Sequence, residues 1–321
     1  MPARQRIRNV VAIISEPQSP FELSVAVEVF GVDRVADGVP KYDFAVCALE
    51  PGPVEAVGGF TITTPYGLER TSRADLVIVP TWARPDTPPP LEMVEALRAA
   101  LDRGAIVASF CTGAFALAHA GLLDARRCTT HHHHIDAFRA AFPDIIVDPD
   151  VLYVSDGRVV TSAGTAAAID LCLHLVRESD GAEVATKIAR RMVVPPQRDG
   201  GQAQFIHKPV VECRDSALSE LLDRLLADVA AEHTVEDMAA SMSMSPRSFA
   251  RRFVEQTGTT PYKWLVQQRI QYAQHLLEQT DDPMDKVAVR SGFKDAATMR
   301  VHFGRIVKTT PTAYRRAFAG V

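Results

Sequence analysis

Over the first two-thirds of the chain, apolar runs too short to be helices alternate with amphipathic segments of helical length. "NVVAII", "YDFAVCAL", "ADLVIVP" and "AIVASF" are such runs, while "SPFELSVAVEVFG" and "LEMVEALRAALDRG" lie between them. Strands that are apolar on both faces must be covered on both faces, which calls for βαβ units and a mostly parallel sheet with helices on either side. The expected fold is therefore a three-layer α/β domain. In "SPFELSVAVEVFG", Leu23, Val27 and Phe30 are expected to share the buried face. The Gly/Pro clusters "PGPVEAVGG" and "RPDTPPP" are expected to be loops.

The stretch "IVASFCTGAFALAHAGLL", residues 106–123, sharpens this picture. A buried strand runs into Cys111, and a small-residue helix starts near Thr112. In parallel α/β folds ligands bind beyond the carboxyl ends of the strands. The amides and dipole at the start of that helix are expected to favour a thiolate or a bound anion at Cys111. Glu22, which follows the first strand, is positioned to face the same crevice. Beside a thiol its carboxylate shares a proton and makes a poor base. In "TSAGT", Ser162, Gly164 and Thr165 precede a further helix, whose amino end either caps itself or holds a carboxylate; self-capping is the expected outcome. His131–His134 are consecutive, and on a helix they point in four directions. At most two meet one ion, so no metal site is expected.

After "PPQRDGGQAQFIHKP" the strand pattern stops and everything reads as helix. The boundaries expected are an α/β domain over residues 1–200, a linker over 201–215 and a helical domain over 216–321. The overall charge of −4 hides an asymmetry: from residue 244 onward 13 Lys and Arg face 6 Asp and Glu, a balance of +7, against −11 for the remainder. A basic tail on an acidic body suits a polyanion-binding module. The five cysteines are scattered, which suits reduced thiols. No apolar run approaches the ~18 residues a membrane helix needs. The amino-terminal segment reads as a first strand, so the expected setting is the cytoplasm.

The tail contains an internal repeat. "TTPYKWLVQQR" starts at Thr259 and "TTPTAYRRAF" at Thr309; Phe253 and Phe303 repeat with the same offset, and Ala239 and Ala288 nearly so. Each half fits a helix-turn-helix. In the first, the small Ala239 marks the helix crossing, Phe249 and Phe253 face inward, and Arg247 and Arg251 face outward with Ser248 at the margin. In the second, Ala288 marks the crossing, and Met299, Phe303 and Ile306 face inward. Thr298 and Arg305 face outward there, with Arg300 and His302 at the flanks. Between the units "PYKWLVQQRIQYAQHLLEQT" is a continuous helix of about 19 residues, roughly 28 Å long. That spacing suits two reading helices in successive major grooves, about 34 Å apart.

"FELSVAVEVFG", "CTGAFALAHAGLLDARRCTTHH", "DVLYVSDGRVVTSAGTAAAIDLCLHLVR" and "ARRMVVPPQRDGGQAQF" together resemble the amidase-like domain of GlxA-type regulators. Those belong to the wider ThiJ/PfpI, glutamine-amidotransferase-like superfamily of flavodoxin-like folds. The resemblance matches Cys111 to the superfamily's elbow cysteine, Glu22 to its acidic neighbour, and His131 to the histidine of the family's "TTHW". Two departures matter. Protease-like members place a histidine directly after the cysteine, where this chain has Thr112, and the aromatic of "TTHW" is replaced by a further histidine. Glu22, Cys111, Thr112 and His131 are therefore expected to form a non-catalytic ligand pocket. The alternative is a thiol-dependent amidase or hydratase, since isonitrile hydratases in the superfamily carry an acid–Cys–Thr set like this one.

"RSGFKDAATMRVHFGRIVKTTPTAYRRAF" is the most specific part of a second resemblance, to the AraC/XylS DNA-binding domain over about residues 218–318. Val301 stands where relatives often carry a second arginine. The combined resemblance implies a cytoplasmic transcription regulator, an activator more often than a repressor. It also implies double-stranded DNA, RNA polymerase, a small-molecule effector and a second copy of the chain as partners. No cofactor is expected. Arg247, Ser248, Arg251, Thr298, Arg300 and Arg305 are the residues expected to meet DNA.

Overall fold

The computed structural model describes residues 6–196, 201–202 and 216–318. Most of the segment expected to be a linker, 203–215, lies outside the described residues. The chain divides into two compact units, Met1–Gln202 and Ala203–Val321.

Among the described residues the first unit contains ten strands: β1 (Asn9–Ile13), β2 (Asp43–Cys47), β3 (Gly52–Ala56), β4 (Phe60–Thr64), β5 (Leu76–Val79), β6 (Ile106–Phe110), β7 (Arg127–Cys128), β8 (Ile146–Val147), β9 (Tyr153–Asp156) and β10 (Val159–Ser162). Its helices are α1 (Pro20–Ala26), α2 (Leu91–Asp102), α3 (Gly113–His119), α4 (Ile135–Ala141), α5 (Ala166–Asp180) and α6 (Ala182–Arg191). The main sheet runs β2-β1-β5-β6-β10-β9, parallel except for the edge strand β9. This is the flavodoxin-like three-layer α/β fold.

Alternation along the strands divides the core. Val11, Val77, Val79 and Val107 face α2, α3 and α4 on one side. Val10, Leu76, Ile78 and Ala108 face α1, α5 and α6 on the other. With both faces covered, the central strands β1, β5, β6 and β10 bury nearly every side chain, worth about 1.5–3 kcal/mol for each large aliphatic residue.

Two local expectations fail. "PGPVEAVGG" is not a loop, because Gly52–Ala56 pairs antiparallel with Phe60–Thr64 as a hairpin. Its alternating burial, with Val54 and Ala56 inward, supplies a strand pattern that the flanking Gly and Pro residues obscure. The first helix also changes pitch. After Ala26 it widens into a π-turn over Val27–Gly31, closed by the Val32 N–H on the Val27 carbonyl. The wider turn rotates Val27 to the surface while Val29 and Phe30 stay buried, so the regular helical spacing from Leu23 is broken.

The second unit is helical: α7 (Ser216–Ala227), α8 (Val235–Ser241), α9 (Pro246–Thr257), α10 (Pro261–Gln279), α11 (Met284–Arg290), α12 (Ala296–Val307) and α13 (Pro311–Phe318). It has two cores. α7, α8, α9 and the start of α10 enclose Phe249, Phe253 and Trp264. The rest of α10 joins α11, α12 and α13 around Met299, Phe303 and Tyr314. The 19-residue α10 is thus the spine shared by two helix-turn-helix units. Ala239 and Ala288 are both fully buried at the crossings. Ile306 is only half-buried; Val307 takes the fully buried place that Ile306 was expected to fill.

Candidate functional site: a cysteine corner and two reading helices

Strand β6 delivers Cys111 to the carboxyl edge of the sheet. Pairing of Phe110 with Ser162 brings the end of β10 alongside, and the Cys111 N–H donates to the Ser162 carbonyl at 3.0 Å. Cys111 is held at φ 48 and Thr165, beyond β10, at φ 46. Such left-handed conformations cost non-glycine residues about 1–3 kcal/mol each, and they persist where packing over-determines them. Gly164 explains the closeness: a Cβ there would lie 2.3 Å from the Cβ of Cys111.

Glu22, on α1, is buried in the same corner. Its Oε1 accepts from the Thr165 N–H at 3.3 Å, and its Oε2 accepts from the Ser19 hydroxyl. Thr165 makes no side-chain cap to α5. The expectation of self-capping is therefore corrected, since the amino end of α5 holds a carboxylate and that carboxylate is Glu22. The two residues lie 143 positions apart.

The thiol does not ionise readily. Burial, and then the negative charge of Glu22, push the Cys111 pKa up to about 12; only the Thr112 amide opposes them. The helix start is expected to favour a thiolate or a bound anion; for the thiol, burial and Glu22 work against it. α3 is a single short helix of seven residues, and its end effect is outweighed by desolvation and a like charge. The Thr112 hydroxyl faces elsewhere and accepts from the Trp82 N–H at 3.2 Å.

The histidine run also departs from expectation. His132–His134 form a short 3₁₀ turn, and the rings gather instead of diverging. Ring centroids of His131 and His132 lie 4.4 Å apart, and those of His131 and His133 lie 5.5 Å apart with their planes nearly parallel. His131 Nδ1 accepts from the His133 N–H at 3.3 Å. Burial and the neighbouring histidines lower the His131 pKa to about 4, so the ring is neutral near pH 7. Among the described residues no hydrogen bond joins His131 to Cys111, and no group of three His, Cys, Asp or Glu residues is placed to hold a metal ion.

What joins this segment to the corner is Thr130, whose hydroxyl donates to the Cys111 carbonyl at 2.7 Å. Behind it sits a residue the sequence did not single out. Gln202 is buried, and its Nε2 donates to Thr129 Oγ1 at 3.1 Å and to the Thr130 carbonyl at 3.0 Å. Its Oε1 is buried without a partner among the described residues. The stretch "GGQAQF" is quoted in the family resemblance, but nothing in a polar residue beside two glycines marks it as buried.

In the helical unit, Arg247 and Arg251 on α9 are exposed, and Ser248 is half-buried with its N–H bound to the Ser245 hydroxyl. Arg251 makes an exposed pair with Glu255 at 3.8 Å, which contributes little. On α12, Thr298, Arg300 and Arg305 are exposed, while His302 stacks on Phe293 at 5.8 Å. Arg247, Arg251 and Arg305 therefore lie on the faces opposite Phe249, Phe253, Met299 and Phe303, with Arg300 at the flank of α12, an exposed cationic set of the kind that suits phosphates and base edges.

A parallel sheet with a strained cysteine corner, followed by two helix-turn-helix units on one spine, defines a class: transcription regulators whose DNA-binding domain follows an α/β domain. The chain belongs to the DJ-1/PfpI family, which residues 8–178 match, and residues 238–317 match a helix-turn-helix domain. The HTH-type transcriptional regulator CdhR of Pseudomonas aeruginosa is 29% identical over 281 residues, covering 87% of this chain and 80% of that protein. The HTH-type transcriptional regulator GlxA of Rhizobium meliloti is 29% identical over 226 residues, 66% of each. The crystal structure of an AraC family transcriptional regulator from Pseudomonas putida covers 58% of this chain and 99% of its own. It has a TM-score of 0.51 at 21% identity, a likeness of fold. Among the described residues no helix is long and apolar enough to cross a membrane.

Proposed function

We propose that the chain is a cytoplasmic, effector-controlled transcription regulator, in which α9 and α12 read double-stranded DNA and the α/β unit senses a small molecule without turning it over. Arg247, Ser248, Arg251, Thr298, Arg300 and Arg305 meet DNA in this reading, and Glu22, Cys111, Thr112 and His131 form the polar wall of the sensing crevice. Residues 1–200 are the sensor and dimerisation domain, and 216–321 the DNA-binding domain. Activation through RNA polymerase and assembly as a homodimer complete the reading.

The observation that carries the non-catalytic part is the state of Cys111. Burial and the charge of Glu22 hold its thiol well above the usual range, and the Glu22 oxygens are already engaged by Thr165 and Ser19. A nucleophile needs a strong base or a cation beside it, and the group beside this thiol is the Glu22 carboxylate, a poor base whose charge works against ionisation. Gln202, at the end of the first unit, is bound to Thr129 and Thr130 behind the corner.

The test is a chromosomal Cys111→Ala substitution with a reporter for the regulated promoter. Metabolite-dependent expression is expected to persist. Loss of the response in a variant that still folds, binds operator DNA and binds the metabolite contradicts the non-catalytic reading and returns the thiol to chemistry.

A further inference from the structure

Strand order places a second feature beside the cysteine corner. The segment after β1 leads to α1 on one face of the sheet, whereas the segment after β5 leads to α2 on the other. Where neighbouring parallel strands send their connections to opposite faces, the chain opens a crevice at their carboxyl ends. A cleft of about 420 Å³ lies there, walled by Ile14, Leu49, Leu68, Trp82 and Met93, with Glu16, Glu50 and Arg84 among its charged lining residues. It does not include Cys111, Glu22, Thr112 or His131.

The cleft is a built feature. Trp82 is buried and fixed at both ends: its indole N–H donates to the Thr87 carbonyl at 2.8 Å, and its backbone N–H donates to Thr112 Oγ1 at 3.2 Å. The opposite wall is stitched to the same loop by the Ser15 hydroxyl on the Thr81 carbonyl and by Gln18 Nε2 on Thr81 Oγ1 at 2.9 Å. Most of the lining is apolar, and Leu49 stays 45% exposed beside it. Neither Glu50 nor Arg84 has an ion pair among the described residues, so both signs of charge are left for a ligand. Small-molecule sites combine these traits: a mostly apolar chamber of a few hundred Å³ and a few placed polar groups.

We propose that this cleft is the effector chamber. It takes an amphoteric small molecule whose bulky apolar or aromatic body packs on Trp82 and whose opposite charges meet Arg84 and Glu50. The proposal rests on the reading that the α/β unit senses a small molecule, and it moves the ligand's body from the cysteine corner to the neighbouring cleft. Trp82 then reports occupancy to the corner through Thr112, one residue from Cys111.

The test uses the full chain and the anionic apolar dye anilinonaphthalene sulfonate as probe. One dye is expected to bind per chain with energy transfer from tryptophan, and Trp82→Phe is expected to remove most of that transfer while keeping binding. Arg84→Gln is expected to weaken binding about two- to fivefold, and Glu50→Gln to tighten it by a similar factor, the range for solvent-accessible charge contacts. Leu49→Arg, at an exposed position where folding is preserved, is expected to alter dye affinity. Equal dye binding by wild type and all the cleft variants overturns the proposal. The same titration is followed on an operator fragment selected in vitro by the full chain. Dye that binds the cleft without moving operator affinity leaves the chamber standing and counts against effector control instead.

Discussion

Ser245 caps α9 and Asp295 caps α12; Gly258 ends the first helix and Lys308 the second, both in the left-handed region, at φ 71 and 62. Thr260 and Thr310 then open α10 and α13, each followed by a proline. Every pair is separated by fifty residues, so the two helix-turn-helix units share one set of punctuation marks. Their surroundings differ. The first unit leans on α7 through Leu218, Leu221 and Leu225, whereas the second leans on α13 through Tyr314, whose hydroxyl donates to Glu278 at 2.5 Å. Asp282 further ties the second unit by binding Lys286 at 2.8 Å and Arg290 at 2.5 Å. The comparison teaches that helix ends and the buried phenylalanines define the unit, while the packing partner and the outer face are free to diverge.

The largest effect expected from breaking this parallel lies in the cores. Phe253→Ala and Phe303→Ala each remove a fully buried ring, and each is expected to cost about 3–5 kcal/mol in denaturant titrations of the full chain. A much smaller cost at one of them shows that the two cores are not equivalent.

Smaller effects come from the helix ends. Gly258→Ala is expected to destabilise by about 1 kcal/mol, because a Cβ is strained at positive φ, and Lys308→Gly to stabilise by about as much. Opposite signs at matched positions, followed by the denaturation midpoint, confirm the shared geometry; equal signs break it.

The smallest contrast lies in the caps. Ser245→Ala is expected to cost about 1 kcal/mol with little pH dependence. The Asp295 carboxyl is held below its usual range chiefly by the Thr298 amide, at 2.7 Å. A lowered folded pKa means that its contribution is complete above the unfolded pKa, near ~4, and fades as pH falls through the folded value. The stability gap between wild type and Asp295→Ala is therefore expected to shrink below about pH 4, in titrations repeated across that range.

The parts legible in the sequence are those with local causes. Apolar runs mark the central strands, and the corner at Cys111 follows from a strand meeting small residues. The fifty-residue repeat exposes both helix-turn-helix units, because caps and buried rings are set within a few residues. The parts that stayed hidden depend on distant partners. Glu22 reaches Thr165 across 143 positions, and Gln202 reaches Thr129 across 73. The thiol pKa follows from how deeply the sheet and α1 bury it, which no neighbouring residue specifies. The π-turn after Ala26 shows that even a helix pattern fails when packing calls for one extra residue per turn.

The central claim is that α9 and α12 together present two arginine-bearing faces to one duplex. It is tested most directly by a chemical-protection footprint of the full chain on an operator selected in vitro. The account expects two protected major-groove stretches about one helical turn apart on the same side of the DNA, with Arg251→Ala weakening one and Arg300→Ala the other. A single protected stretch, or two stretches indifferent to both substitutions, contradicts it.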